Sequence, residues 1–242
     1  MTQLLISVKN IEETQLALDA GVDIIDLKDP TNGALGALDL NTSTAIIKLV
    51  NGNKPVSATV GEHHHNLQVL VLAIKQRATI KVDIIKIAVS DLFYQVDFVD
   101  EILNLCQTGI KIVAVFFADD AIDFSLLPKL QQAGFYGAML DTRAKQHDLF
   151  SLQNKQVLHH FTLCCQGHQL ICGLAGSLKP QYIEALLEIN PTYIGFRGGV
   201  CNNLDRKSGL DQAKLSFVQN MLRIGNKNNT NPHLILGLAL HS

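Results

Sequence analysis

The sequence carries little charge and no basic cluster, and both absences argue against a nucleic-acid-binding protein. Charged residues make up 17% of the 242 positions, and the formal net charge is −2. A surface that binds a phosphate backbone needs a clustered excess of lysine and arginine. Apolar runs are also short, and none approaches the roughly 18 residues that a membrane span requires. The sequence therefore predicts neither a nucleic-acid partner nor a membrane partner.

Cysteine is scarce and irregularly spaced. The chain has five cysteines, an odd number, and Cys164 and Cys165 are adjacent rather than separated by two residues. This pattern fits neither a zinc ribbon nor a redox pair, and it favours free thiols in a reducing compartment. The first residues, Met1–Leu5, also lack a charged segment followed by a cleavage site. We therefore expect a cytoplasmic globular protein without a secretory leader.

What the sequence does contain is a regular alternation of two kinds of segment. Hydrophobic residues make up 47% of the chain, which is enough apolar material for one large core. Short β-branched runs alternate with helix-like stretches. The predicted strands are 4–8, 22–28, 55–60, 82–89, 110–118, 137–141, 170–175 and 193–198. The predicted helices are 11–20, 39–50, 67–78, 93–106, 124–133, 149–164, 179–189 and 211–224.

This alternation predicts an α/β fold, a single (β/α)8 TIM barrel, because buried strands that alternate with helices pair in parallel. A doubly wound sheet is the alternative, but no glycine-rich dinucleotide fingerprint follows the first strand. We place the barrel in residues 1–225 and a C-terminal tail in residues 226–242. The tail is predicted to contain a loop at 226–229 and an apolar segment at 234–240. We expect this segment to dock on the barrel or on a neighbouring subunit of a homo-oligomer.

The stretch from Asp23 to Pro30 holds the first candidate for catalysis. In a buried strand successive side chains point to opposite faces, so Asp26 and Lys28 share one face. Pro30 cannot join a hydrogen-bond ladder, so the strand ends close to Lys28. A lysine at the carboxyl end of a buried strand, beside a carboxylate, suits covalent amine chemistry. A structural ion pair is the alternative that these residues leave open.

A second lysine occurs in a repeat of the same phrase. Val82–Lys86 matches Val22–Asp26 up to the last position, where lysine replaces aspartate. If the two strands share a register, Lys86 lies level with Asp26, and Lys28 lies one layer nearer the mouth of the barrel. The apolar residues around Lys86 argue against an exposed amine that reaches out to solvent.

The sixth strand supplies a further carboxylate, since it ends in Asp141, and Lys145 follows in the loop. The carboxyl ends of all eight strands meet at one rim of a barrel, where its active sites lie. Two lysines that lie close together in an apolar cavity lower the pKa of each other, and burial also lowers it. Only a neutral amine attacks a carbonyl, so this arrangement is expected to activate a lysine.

The ends of strands seven and eight predict a phosphate site. Gly176 and Ser177 precede a predicted helix, and Arg197 and Gly198 close strand eight. Glycine lets the backbone approach a ligand closely, a helix start attracts anions, and an arginine can fork to a phosphate. Loops after these two strands are the usual phosphate site of the barrel fold. Ordinary turn chemistry is the alternative.

The run Glu62–His65 contains three consecutive histidines, but it does not predict a metal site. Consecutive histidines on a loop rarely converge on one ion, and no fourth ligand is evident. We interpret the run as a solvated loop, with a substrate-contacting histidine as the alternative. Cys201, near the mouth of strand eight, is interpreted as a small buried filler rather than a nucleophile.

These residues lie in phrases that together resemble one enzyme family. The phrases are Gly21–Lys28, Gly33–Gly36, Val56–Gly61, Asp83–Lys86, Ala138–Thr142, Leu174–Ser177 and Ile194–Gly198. They span strands two to eight, so the resemblance covers nearly the whole chain. The family is that of the (5-formylfuran-3-yl)methyl phosphate synthases of methanofuran biosynthesis.

The resemblance implies an aldolase-like lyase on a (β/α)8 barrel that needs no cofactor and no metal. Such an enzyme condenses two molecules of glyceraldehyde 3-phosphate into a furan aldehyde phosphate, with loss of phosphate and water. Lys28 resembles the Schiff-base lysine, and Lys86 resembles the proton acceptor. The other expected site residues are Asp26, Asp141 and Lys145 as acid–base or charge partners, and Thr59, Gly176, Ser177, Arg197 and Gly198 as contacts to the substrate or its phosphate.

The sequence departs from the family pattern at four places. Asp29 stands where a neutral asparagine is expected, Ala88 stands where glycine is expected, and Glu62–His65 replaces an aspartate-led loop. The loop after Lys145 also differs. The negative charge of Asp29 is expected to favour the charged form of Lys28 and so slow the reaction.

Two other functions stay open on the sequence. One is a phosphosugar lyase or isomerase on the same barrel that works without a covalent amine, and borohydride-insensitive activity would favour it. The other is a regulator that binds a phosphometabolite without catalysis, and tight binding without turnover would favour it.

Overall fold

The eight predicted strands form a closed parallel barrel in chain order. The computed structural model describes residues 1–144 and 146–230. Each strand pairs in parallel with the next, and β1 closes the ring against β8. The strands are β1 Gln3–Val8, β2 Ile24–Leu27, β3 Val56–Thr59, β4 Ile84–Ala88, β5 Lys111–Phe117, β6 Gly137–Asp141, β7 Ile171–Leu174 and β8 Tyr193–Phe196. The predicted (β/α)8 barrel is confirmed.

Nine α-helices of the described chain connect these strands. They are α1 Ile11–Asp19, α2 Leu40–Val50, α3 Leu67–Thr79, α4 Phe98–Gln107, α5 Leu126–Gln132, α6 Leu149–Leu152, α7 Lys155–Gly167, α8 Ile183–Ile189 and α9 Gln212–Thr230. Six begin at a side chain that accepts a hydrogen bond from a backbone N–H of the first turn. These capping residues are Asn10, Asp39, Asn66, Asp148, Asn154 and Asp211. None of the helices in this part of the chain is long and apolar enough to cross a membrane.

Alternation along the strands divides the apolar side chains into two layers. Ile25 belongs to the larger layer, which lies between the barrel and its helices. Ile24 belongs to the smaller layer, where it joins Leu5 inside the barrel. Asp26 and Lys28 have the same parity as Ile24, so both face the interior. The predicted shared face is therefore the inner face of the barrel.

The single helix predicted over 149–164 is wrong, because the structure has α6 and α7 there with a break between them. Gln153 is extended at the break, and its side-chain amide donates to the carbonyl of Ala118 at 2.9 Å. Asn154 then starts α7, and its side chain accepts a hydrogen bond from the N–H of Val157. A capping residue and a tertiary contact together interrupt a pattern that reads as one helix.

The loop predicted at 226–229 is also wrong, because α9 continues through these positions to Thr230. The side chain of Asn226 accepts a hydrogen bond from the N–H of Thr2 at 3.0 Å and donates to the carbonyl of Thr2 at 2.8 Å. This pairing fixes the end of the helix against the start of β1, so polar residues continue the helix. The apolar segment 234–240 lies outside the described residues, and its docking and the homo-oligomer stay predictions.

Candidate active site

A cavity of about 350 Å³ opens at the carboxyl ends of the strands. Inward-facing side chains of β1, β2, β4 and β6 line it, together with the loops that follow β7 and β8. Eight of the predicted site residues are in its lining: Asp26, Lys28, Lys86, Asp141, Gly176, Ser177, Arg197 and Gly198. The barrel thus brings together side chains that are far apart in the sequence.

The deeper charged pair joins Lys86 of β4 to Asp26 of β2. Lys86 Nζ lies 2.5 Å from Asp26 Oδ1, and both side chains are buried. The hydroxyl of Ser57 donates to Oδ1 and the hydroxyl of Ser7 donates to Oδ2, each at 2.7 Å. Asp26 is therefore held by donors from three other strands. Such bonds are what a buried charge needs in order to be tolerated.

The register behind this pair differs from the predicted one. The hydrogen-bonded ladder sets Asp26 beside Ser57, and Ser57 beside Ile84. Lys86 is beside Thr59, two residues further along than a register shared with Asp26 requires. Barrel strands tilt across the axis, so side chains in one layer come from residues that are offset along the ladder. The amine reaches the carboxylate through this tilt and not through a shared register.

Both members of the deeper pair have shifted pKa values. Burial is the largest influence on Lys86 and lowers its pKa, while the charge of Asp26 opposes that shift and the charge of Lys28 adds to it. Burial opposes the ionisation of Asp26. The charges of both lysines and the hydrogen bond from Ser57 nevertheless hold the pKa of Asp26 below its ordinary value. The direction of the shift for Lys86 is towards the neutral amine, as expected, and its role in catalysis stays a prediction.

The second charged pair joins Lys28, at the end of β2, to Asp141 of β6. These strands lie on opposite sides of the ring, so the pair bridges the barrel interior, with Lys28 Nζ 3.1 Å from Asp141 Oδ2. Asp141 Oδ1 also accepts a hydrogen bond from the backbone N–H of Thr142 at 2.7 Å. Lys28 keeps 8% of its surface exposed, against 2% for Lys86. Lys28 is therefore the lysine nearer the mouth of the cavity.

Asp29 is the acidic residue beside Lys28 that departs from the family pattern. Its carboxylate accepts hydrogen bonds from residues of its own loop. One carboxylate oxygen accepts from the N–H and the hydroxyl of Thr31, at 2.9 and 2.7 Å. The other oxygen accepts from the side-chain amide of Asn32 at 2.6 Å. These bonds give the charge local donors, so Asp29 organises the loop after β2. Its expected effect on the rate stays a prediction.

Arg197 does not have the partner predicted for it. Its guanidinium donates to both carboxylate oxygens of the buried Glu13 and to the carbonyls of Ser7, Arg206 and Ser208. A guanidinium has five N–H groups, and these five contacts use all of them. No donor is left to fork to a phosphate. Arg197 instead ties the end of β8 to α1 and to the loop that follows.

The loop after β7 packs closely against Thr142 at Gly176, while the predicted approach of its backbone to a ligand stays a prediction. Gly176 has a φ of +112°, and a Cβ there would lie 2.9 Å from the backbone nitrogen of Thr142, so glycine is required. Among the described residues, no acceptor lies in hydrogen-bonding geometry with the backbone N–H of Ser177 or Leu178. The following helix α8 is short and begins only after a 3-10 turn. The anion-attracting groups are therefore the loop amides and not the start of a long helix.

Thr59 is the predicted contact that the structure describes outside the cavity lining. Thr59 is buried, and its hydroxyl donates to the carbonyl of Gly36 at 2.9 Å. Lys145 lies outside the described residues. Glu62 accepts a hydrogen bond from the N–H of Leu35 at 2.7 Å, so the Glu62–His65 loop supports the loop after β2. Roles for Thr59 and Lys145 in substrate binding stay predictions.

Sequence reasoning missed Ser7 and Ser57, and it interpreted Arg206 only as a residue that organises the loop after strand eight. Inward parity on β1 and β3 is the signal that could have indicated the two serines, since both strands flank Asp26. Arg206 lines the cavity from the loop after β8, where no periodicity fixes the direction of a side chain. In the described part of the chain no group of histidine, cysteine, aspartate or glutamate is arranged to hold a metal ion.

The chain is similar to proteins of one family. The family model described as 4-HFC-P synthase matches residues 4–219. A protein of Methylorubrum extorquens, named provisionally as a (5-formylfuran-3-yl)methyl phosphate synthase, is 39% identical over 224 residues that cover 92% of each chain. The (5-formylfuran-3-yl)methyl phosphate synthase of Methanocaldococcus jannaschii is 34% identical, over 85% of this chain and 93% of its own.

Solved structures share the fold at low identity. The 3-hexulose-6-phosphate synthase of Salmonella typhimurium has a TM-score of 0.66 and 13% identity, and the match covers 93% of this chain and 100% of that chain. A phosphoribosyl anthranilate isomerase of Thermus thermophilus has a TM-score of 0.66 and 11% identity, with 92% and 99% covered. At such identities the likeness shows the barrel alone.

Proposed function

The chain belongs to the 4-HFC-P synthase family, and on that premise we propose that it makes (5-formylfuran-3-yl)methyl phosphate from two molecules of glyceraldehyde 3-phosphate. The observation that carries the proposal is the presence in one cavity of two lysines, each with its own carboxylate. The barrel by itself would not suffice as evidence, because the same fold supports many unrelated reactions.

The proposed reaction balances without an oxidant or a reductant. Two triose phosphates supply six carbons and two phosphate groups, and the product keeps all the carbons and one phosphate. One molecule of inorganic phosphate and two of water leave. Because the reaction neither gains nor loses electrons, the proposal assigns no redox cofactor to the site.

Lys28 is proposed as the lysine that forms the imine. It is the more exposed of the two lysines, so a carbonyl that enters from the mouth meets its amine first. The neutral amine attacks the carbonyl carbon, and the carbonyl oxygen leaves as water. The iminium that results can accept the electron pair of the neighbouring C–H bond. Asp141, 3.1 Å from the amine, is placed to stabilise that positive charge.

Lys86 and Asp26 are proposed as the proton-transfer pair. Burial lowers the pKa of Lys86, which makes its proton-accepting form more accessible near neutral pH. When Lys86 takes the proton from the carbon beside the imine, Asp26 lies 2.5 Å away to stabilise the ammonium. The enamine then attacks the aldehyde of the second triose phosphate. Loss of water and phosphate completes the furan ring.

The loops after β7 and β8 are proposed to hold a substrate phosphate. The backbone N–H groups of Ser177 and Leu178, which have no acceptor within residues 1–144 and 146–230, and the Ser177 hydroxyl are donors of the kind that bind anions. Gly176 and Gly198 contribute only backbone to the cavity lining, so neither position has a side chain that could stand between the loop and a ligand. Lys145 is proposed as a further charge partner, on the strength of the family resemblance. A cavity of about 350 Å³ is within the usual range for small-molecule sites.

Incubation with glyceraldehyde 3-phosphate tests the proposal. We expect a furan absorbance band to grow while one inorganic phosphate is released for every two trioses consumed. Lys155→Met is the matched control, because Lys155 is an exposed lysine, paired with Glu188, that does not line the cavity. This variant should keep full activity. Isomerisation of the triose phosphate with no furan would contradict the proposal.

A further inference from the structure

Among the described residues, the basic side chains around the cavity are paired with carboxylates except at one residue. Five basic side chains line it, and four of them form an ion pair with a carboxylate. The four pairs are Lys28–Asp141, Lys86–Asp26, Lys179–Asp148 and Arg197–Glu13. Arg206 is the fifth, and within residues 1–144 and 146–230 it forms no ion pair. One basic group of the cavity thus has no carboxylate in contact with it in the described chain, while the carboxylate of Asp205, also in the lining, accepts from the Lys207 N–H and the Ser208 hydroxyl.

Arg206 reaches the cavity from the loop between β8 and α9. Its backbone lies against Gly198, where an added Cβ would be 3.8 Å from the Arg206 Cβ. One Nη2–H donates to the carbonyl of Gly33 at 2.7 Å, which links the loops after β8 and β2. In the described chain the Nε and Nη1 groups of Arg206 have no hydrogen-bond partner. Since a guanidinium has five N–H donors, four of them are left for a ligand.

The nearby carboxylates do not take up these donors. Asp141, Glu62 and Asp29 attract the Arg206 guanidinium from a distance. Each has its own partner, since Asp141 binds Lys28, Glu62 binds a backbone N–H and Asp29 binds its own loop. A structural ion pair, the usual role of a half-buried arginine, is therefore not what holds Arg206 in place.

We propose that Arg206 is the residue that binds the substrate phosphate, by forked hydrogen bonds across from the loop amides of Ser177 and Leu178. The planar guanidinium suits two phosphate oxygens at once, and a dianion would supply the anionic partner that Arg206 lacks among the described residues. Phosphate binding, the role predicted for Arg197, is thus assigned to Arg206, nine positions further along the chain. This inference rests on the proposed function only for the identity of the phosphate ester.

Calorimetric titration without turnover tests the inference. The probes are inorganic phosphate and glycerol 3-phosphate, with glycerol as the uncharged comparison. We expect both anions to bind the wild type, and Arg206→Gln to weaken them about 10- to 100-fold. Arg206→Lys should keep part of the affinity, because it retains the charge but loses the fork. Arg143→Gln is the control, because Arg143 is exposed and paired with Asp120 outside the cavity.

Equal affinity of the wild type and Arg206→Gln for both anions would overturn the inference, as would a wild type that binds neither. A protein that binds phosphate through Arg206 but forms no furan would keep this inference and end the proposed function. A protein that forms furan but binds phosphate equally in Arg206→Gln would do the opposite.

A second measurement needs no substitution and so does not depend on the folding of a variant. Phenylglyoxal modifies accessible guanidinium groups, and peptide mass mapping locates the label. We expect Arg206 to be modified in the free protein and protected by glycerol 3-phosphate. Arg197 should stay unmodified in both samples, because all its donors are occupied. Labelling of Arg206 that the anion does not slow would contradict the assignment.

Discussion

The two lysine–aspartate pairs of the cavity use the same amino acids in different settings. Lys86–Asp26 is the deeper pair, with 2.5 Å between its charged atoms and two serine hydroxyls that also donate to the carboxylate. Lys28–Asp141 bridges the interior nearer the rim at 3.1 Å, and a backbone N–H donates to its carboxylate. The deeper amine is 2% exposed and the outer amine 8%.

This difference assigns a different task to each amine. A buried amine whose partner is ionised and fully hydrogen-bonded can take up and release a proton without a change of position. An amine nearer the rim can instead reach the carbonyl of an entering substrate. If the pairs were interchangeable, removal of either lysine would have the same consequence. The variants below are chosen because their effects should differ.

The largest effect is expected for Lys28→Met. Furan formation should fall roughly 10⁴- to 10⁶-fold, because no imine can form without the amine. The initial rate of furan absorbance measures this, with Lys155→Met as the lysine control. A Lys28→Met enzyme within tenfold of the wild type would break the covalent assignment.

Lys86→Met should have a smaller effect on the rate and a different cause. We expect turnover to fall roughly 10²- to 10⁴-fold, the usual contribution of a positioned base. Because proton removal would be lost, deuterium from D₂O should no longer enter the unreacted triose phosphate, as mass spectrometry can measure. Exchange at the wild-type rate would show that another group removes the proton.

The same two variants should also differ in stability. Lys86→Met leaves Asp26 buried without its ammonium partner, so it should lower the free energy of unfolding by about 3–5 kcal/mol. The double variant Lys86→Met/Asp26→Asn should recover part of that loss. Lys28→Met should cost less, because this pair lies nearer solvent. Urea unfolding measures all three, and equal losses for the two lysine variants would remove the distinction between the pairs.

The smallest effect is expected for Ser57→Ala. The Ser57 hydrogen bond lowers the pKa of Asp26, so its removal should raise that pKa and move the acid limb of the activity profile to higher pH. Stability should follow the same sign, since the contribution of ionised Asp26 is present above its unfolded pKa and is lost as pH falls through the folded value.

The control for this shift is Ser125→Ala. Ser125 donates to Asp123 on the exposed surface, in a serine–aspartate bond at 2.5 Å that lies outside the cavity. Its removal should leave the pH profile of activity unchanged. An acid limb that stays in place in Ser57→Ala would mean that the hydroxyl does not tune Asp26.

Features that depend on local periodicity could be predicted from the sequence. Strand parity placed Asp26 and Lys28 on the inner face, because alternation is a property of the extended backbone. Strand ends placed Lys86 and Asp141 at one rim, because all strands of a (β/α)8 barrel run in the same direction. These two rules brought the four residues to one cavity but did not give their pairing, because the sequence set Lys28 beside Asp26, whereas the structure pairs Lys28 with Asp141 and Lys86 with Asp26.

Features that depend on distant partners could not be predicted in this way. Arg197 and Arg206 are nine positions apart. Only the fold shows that the carboxylate of Glu13, from α1, accepts hydrogen bonds from Arg197. The break at Gln153 likewise depends on a contact with the carbonyl of Ala118. The offset of Lys86 along the ladder follows from the tilt of a closed barrel, which no single strand encodes.

Borohydride reduction in the presence of glyceraldehyde 3-phosphate, followed by peptide mass mapping, tests most directly whether the two lysines have separate tasks. We predict a reduced triose adduct on Lys28 in the wild type and in Lys86→Met, and no adduct in Lys28→Met. An adduct on Lys86, or furan formation with no adduct on either lysine, would contradict this account.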